Sequence, residues 1–140
     1  MTASIIDPLD GSLRALREIQ APQHLAAADD RKSGFRISSA AFRPGTDGTV
    51  SVDLEESLTR AGLPVNARYP SMPRTVGLAA ITIDAIRTLG PDVAHDPIPN
   101  NAHHGVIREG NVAISKNGWR RVARAIADQC DLIVPIASAT

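Results

Sequence analysis

The chain has 140 residues, 43% of them hydrophobic and only 3% aromatic, with fifteen basic and fifteen acidic side chains and a formal net charge of +0. That length supports one ordinary core, built from Ala, Val, Ile and Leu, and asks for no second domain. Balanced charge excludes a global field that draws the chain to DNA or a membrane surface, and the scarcity of rings excludes base stacking as the main way of holding single strands.

Residues 1–11 carry Pro8 and Gly11 and are expected as a flexible N-terminal arm, leaving 12–140 as the domain. The opening MTASIIDPLDGS lacks the basic start and long apolar run of a signal peptide. Ser12 then caps an expected short helix in which Leu13, Leu16 and Ile19 recur at near-helical spacing before Pro22. AAADDRKSG reads as a surface connection, and FRIS as a short strand with Phe35 and Ile37 on one side. PGTDG is turn chemistry before the strand TVSVD. Asp53 is expected to cap a helix, with Glu56 three positions on and Leu54, Leu58 and Ala61 as its apolar stripe; Gly62 and Pro64 close it. VNARYPSMP is a loop.

TVGLAAI is expected as a buried strand and TIDAIRTLG as a short helix ended by Gly90. DVAH and HHGVI are short strands around a loop rich in Pro and Asn. A final helix begins near Ser115 and places Trp119, Val122, Ala123, Ile126 and Cys130 on one face. LIVPI is a last strand or packed tail, and Pro135 argues for an edge. Short strands mixed with two to four short helices predict a single compact α+β domain with a small mixed or antiparallel sheet.

Cys130 is the single cysteine, which excludes an intrachain disulfide and a cysteine zinc cluster. No apolar stretch approaches a membrane span, so a soluble, cytoplasmic protein is expected. Thirteen of the fifteen basic residues are arginine, which suits carboxylate or phosphate recognition and equally suits a GC-rich genome.

HDPIPNNAHHGVI holds three of the four histidines. Its Asp-Pro and Pro-Asn-Asn steps predict a hairpin with a loop near residues 96–102. Alternation would then set His95 and His103 on one face and His104 on the other. His95, Asp96 and His103 are accordingly the candidate acid–base groups, with a metal as a competing use. The structural alternative has His95 and His103 bonded to loop carbonyls and His104 on a polar surface. The spacing matches no metal motif, so no metal is assigned and any cofactor is left open.

In RISSAAF, Arg36, Ser38 and Ser39 are candidate ligands for a phosphate or carboxylate, and Asn101 joins them from the histidine loop. No GxSxG elbow surrounds the serines. Glu55 and Glu56 suit the first turn of a helix. Arg120, Arg121 and Arg124 on the last helix are weak candidates for nucleic-acid contact, a solvated face being the alternative. GxGxxG, Walker, CxxC and EF-hand patterns are absent.

Together, LRALREI, FRISSAAFRP, SVDLE, HDPIPNNAHHGVI and SKNGWRRVARAIA resemble a set of short bacterial proteins without an assigned reaction. These share an R-x-S-S-x-A-F stretch, a strand ending S-V-D and an H-D-P-x-x-x-N-x-x-H turn. The resemblance spans Leu13 to Ala127, implies one domain, and directs attention to Arg36, Ser38, Ser39, Asp53, His95, Asp96, Asn101 and His103. It implies no reaction.

Two functions follow as expectations. The first is a small accessory domain that binds a protein partner and has no turnover of its own. The alternative is a small enzyme acting on a phosphorylated or nucleotide-like substrate through His and Asp acid–base chemistry, with Arg36 holding the phosphate. Nucleic-acid binding through the final helix is a third, weaker expectation, and membrane association is not expected.

Overall fold

RALREIQ is a strand, not the helix that Leu13, Leu16 and Ile19 suggest. In the computed structural model, which describes residues 5–28, 30–31 and 34–136, Arg14–Gln20 forms β1 inside a six-stranded sheet. Ala15 and Ile19 are buried in one layer and Leu16 in the layer behind it. A strand covered on both faces loses the alternation that distinguishes it from a helix.

The other elements follow the sequence more closely. β2 (Leu25–Ala27) and β3 (Phe35–Ile37) form a separate small hairpin. It takes two residues of the stretch expected as a surface connection. A single 3-10 turn at Ser39–Phe42, capped by the Ser38 hydroxyl, buries Ala41 and Phe42. β4 (Val50–Leu54) runs directly into α1 (Glu55–Arg60). Leu54, not Asp53, is the residue that precedes α1, and no side chain caps it. Asp53 is instead a strand residue with its own use.

β5 (Thr75–Thr82) leads into α2 (Ile83–Thr88), whose first turn is capped by Thr82. Gly90 just beyond has φ 122°, a conformation that a side chain would oppose. β6 (Asp92–His95) and β7 (His104–Arg108) form the expected hairpin, with His95 opposite Gly105. α3 (Lys116–Gln129) starts where Ser115 accepts a bond from the Gly118 N–H, and β8 (Asp131–Val134) follows it. All neighbours in the sheet order β6-β7-β4-β1-β5-β8 are antiparallel. The fold is thus the single α+β domain that the mixture of short elements predicts.

The inner face of the sheet carries the main core. Ile19, Val52, Leu54, Ile81, Val93 and Ile107 meet Phe42, Ile83 and Ile86, and Trp119, Ala123 and Ile126 of α3 close the layer. From the stretch expected as an arm, Ile6 and Leu9 are buried in this same core. The outer face has a smaller cover: Leu16, Leu78 and Ala80 lie under Leu58, Val65 and Tyr69, from α1 and the segment that follows it. No residue of β4 or β7 belongs to that outer cluster. Among the described residues no helix is long and apolar enough to cross a membrane.

Candidate functional site

The histidine hairpin divides its side chains among three environments. His95 is buried. Its Nδ1 accepts the Ile6 backbone N–H at 2.9 Å, and its Nε2 lies 2.8 Å from the Ala102 carbonyl. A ring nitrogen that accepts leaves the other to carry the hydrogen, so Nε2 donates to Ala102. Both nitrogens are therefore spent on tying the N-terminal segment to the turn. His103 Nδ1 lies 2.9 Å from the Ser57 hydroxyl, and Ser57 is only 8% exposed. Asp96 is exposed, and its carbonyl rather than its carboxylate makes the short contact.

His95 and His103 thus meet around the Ala102 carbonyl through the Ser57 hydroxyl, which lies 3.4 Å from that carbonyl, while the Asp96 carboxylate stands by His104 instead. His103 lies outside β7, and His95 faces the core across from Gly105. Among the described residues no three His, Cys, Asp or Glu side chains are placed to hold a metal ion. The Ser38 hydroxyl caps the 3-10 turn, and the Ser39 hydroxyl accepts from Arg43 at 3.0 Å. Neither serine joins Arg36, which lines a cavity elsewhere. Arg120, Arg121 and Arg124 are exposed on α3, and Arg124 pairs with Asp128 at 3.4 Å.

A different group of residues does come together. Where the outer cover ends there is a cleft of about 390 Å³ whose walls include Arg17, Asp53, Arg68, Asn101 and His104. Asp53 and His104 are cross-strand partners in the β4–β7 ladder. Side chains of such a pair project from the same face about 5 Å apart at Cβ. Buried Asn101 donates from Nδ2 to Asp53 Oδ1 at 2.7 Å, and its Oδ1 accepts the His103 N–H at 2.9 Å. The turn that His95 holds from below therefore delivers the amide that fixes the Asp53 carboxylate. Arg68 Nε stands 3.3 Å from Asp53 Oδ2.

His104 Nδ1 lies 2.8 Å from the Asp96 carbonyl. A carbonyl only accepts, so Nδ1 carries the hydrogen and Nε2 is left with its lone pair. No partner for Nε2 occurs among the described residues.

Arg17 lines the cleft from β1, on the strand face that it shares with Ala15 and Ile19, and its setting is unusual. β1 and β4 pair at Ala15 with Leu54 and at Leu16 with Asp53, and beyond them the guanidinium of Arg17 bonds to backbone carbonyls instead. Its Nε donates to the Ala41 carbonyl and its Nη1 to the Ser51 carbonyl, each at 2.9 Å. Burial pulls Arg17 below its ordinary value, and the neighbouring Glu18 opposes this. No carboxylate forms an ion pair with it among the described residues. Glu18, also in the cleft wall, is occupied by the Ser71 N–H, the Ser71 hydroxyl and Thr75.

His104, Arg17 and Arg68 are not among the site residues that the sequence suggests. Alternation does set His104 opposite His95, but nothing local says that this face borders a cleft. Arg17 carries no distinguishing local signal, since β1 also holds Arg14 and Glu18. No family model, curated protein or solved structure matches the chain.

Proposed function

We propose that the protein is a small acid–base enzyme acting on a phosphorylated or nucleotide-like substrate in the outer-face cleft. The observation that carries this reading is the Asp53–His104 cross-strand pair beside Arg17. His104 Nε2 would take a proton from the attacking water or hydroxyl. Asp53, steadied by Asn101 and Arg68, would offset the charge gained by the imidazole. Arg17, held by carbonyls and unpaired with any carboxylate, would receive the phosphoryl oxygens. The cleft volume lies in the range usual for small-ligand sites.

The test is phosphorus NMR of the protein incubated with nucleoside mono- and diphosphates, cyclic nucleotides and sugar phosphates. Conversion of at least one compound is expected, falling by about 10²- to 10⁴-fold in His104→Gln. If no compound is converted and none shifts the His104 or Arg17 resonances, the reading is lost.

A second reading, a protein-binding domain without turnover, is supported by one feature elsewhere. Val112 is 73% exposed beside a groove formed by Leu89, Ile114 and Val122. Exposed apolar surface of this kind is used in protein contacts. Co-purification of a partner that Val112→Asp releases, with no conversion of any phosphate compound, would favour it.

A further inference from the structure

On the opposite side of the fold from the cleft cover, a cavity of about 500 Å³ opens between β3, the end of α3 and β8. None of the residues that line it also lines the outer-face cleft. Arg36 enters it from β3, and its Nη1 is fully buried with no hydrogen-bond partner among the described residues. A buried guanidinium nitrogen without an acceptor is costly, and folded proteins leave few of them. The simplest occupant of such a position is an anion that accepts from Nη1.

The surrounding walls narrow the choice of anion. Ile37, Leu132 and Ile136 give apolar surface, and Arg31 is the one other basic residue in the lining. Asp128 also faces the cavity but is engaged with Arg124 at 3.4 Å. A phosphate dianion would ask for more donors than one half-buried guanidinium and one exposed arginine. A carboxylate matches the planar guanidinium and carries a single charge. We infer that the Arg36 cavity is a second ligand site, taking a small monocarboxylic acid with an apolar body.

Ligand-observed NMR titration distinguishes this from a merely empty space. Hexanoate and benzoate serve as probes, with hexanamide and benzamide as uncharged matches and inorganic phosphate as a competitor. Saturable binding of at least one acid is expected, at least tenfold tighter than its amide. Arg36→Met should weaken the acid at least tenfold and leave the amide unchanged. If that variant does not fold, Arg36→Lys keeps the charge and removes the fork, and a several-fold loss is expected. Equal binding of acid and amide, undiminished binding in both variants, binding of neither acid, or displacement of the acid by lower concentrations of phosphate would each overturn the assignment. Because the cavity and the cleft share no residue, none of these outcomes bears on the proposed reaction.

Discussion

The two faces of the six-stranded sheet are built to different rules. The inner face is a continuous apolar layer in which Phe42, Ile19, Leu54, Ile107 and Ile126 are almost wholly excluded from solvent. The outer face has four buried apolar side chains in its cluster, Leu16, Leu58, Leu78 and Ala80, and next to them a polar cleft. Packing accounts for these apolar inner-face side chains. It does not account for a carboxylate fixed by a buried amide beside an imidazole with one nitrogen unbonded among the described residues, in the walls of a single cleft. Apolar burial is concentrated on one face, and the Asp53–His104 pair lies on the other.

The largest expected effect tests the inner face. Phe42→Ala should lower unfolding free energy by about 3–5 kcal/mol, because it removes a full ring from a close-packed layer and leaves a cavity. Chemical denaturation would show this as a fall in midpoint with an unchanged slope. A loss below about 1 kcal/mol would mean that the 3-10 turn is not anchored in the core as described.

His24, at the rim between the sheet and the small hairpin, gives the next effect. It is buried, its Nδ1 accepts the Gln20 N–H at 3.0 Å, and burial together with nearby Arg17 pulls its pKa down to about 4. In the unfolded chain a histidine titrates near about 6.5. Between these values the unfolded state binds the proton that the folded state refuses, so stability is fully present above the unfolded value and declines as pH falls toward about 4. The total loss is about 3 kcal/mol. In His24→Gln, which keeps an acceptor for Gln20, denaturation midpoints measured at about pH 7 and about pH 4.5 should differ by less than they do in the parent. An equal difference in both proteins would assign the acid sensitivity to other groups, such as Glu55, whose carboxyl is held below its ordinary value by hydrogen bonds from Arg14.

The contrast between faces also explains what sequence pattern reveals here. α3 is legible because it has one apolar stripe and a serine cap, and its partner layer is a single sheet face. The β6–β7 hairpin is legible because Asp-Pro and Pro-Asn-Asn leave the chain few alternatives. β1 is not, since Leu16 and Ile19 belong to different layers and their spacing of three imitates a helix turn. Asp53 was open to misreading for a related reason: an acidic residue three positions before Glu56 satisfies the pattern of a helix cap, although its carboxylate bonds to Asn101, 48 positions away. Pairings of that range depend on the register of β4 against β7 and on the path of the loop after α1. Local pattern carries neither.

The smallest change in stability is expected at the residue with the largest proposed role. In His104→Gln the Nδ1 bond to the Asp96 carbonyl is lost, a contact that is exposed and sits at the end of a hairpin. The cost should stay below about 1 kcal/mol, since an amide at that position can donate in its place. If His104 were there to hold the turn, as His95 does through Ile6 and Ala102, its replacement would cost as much as that of His95. Comparing denaturation midpoints of His104→Gln and His95→Gln therefore separates the two uses of one residue type within a single hairpin. Near-parent stability for the first, with clear destabilisation for the second, places His104 with the cleft and His95 with the fold. Equal destabilisation would make the hairpin histidines a structural set, and the acid–base proposal would lose its proton carrier.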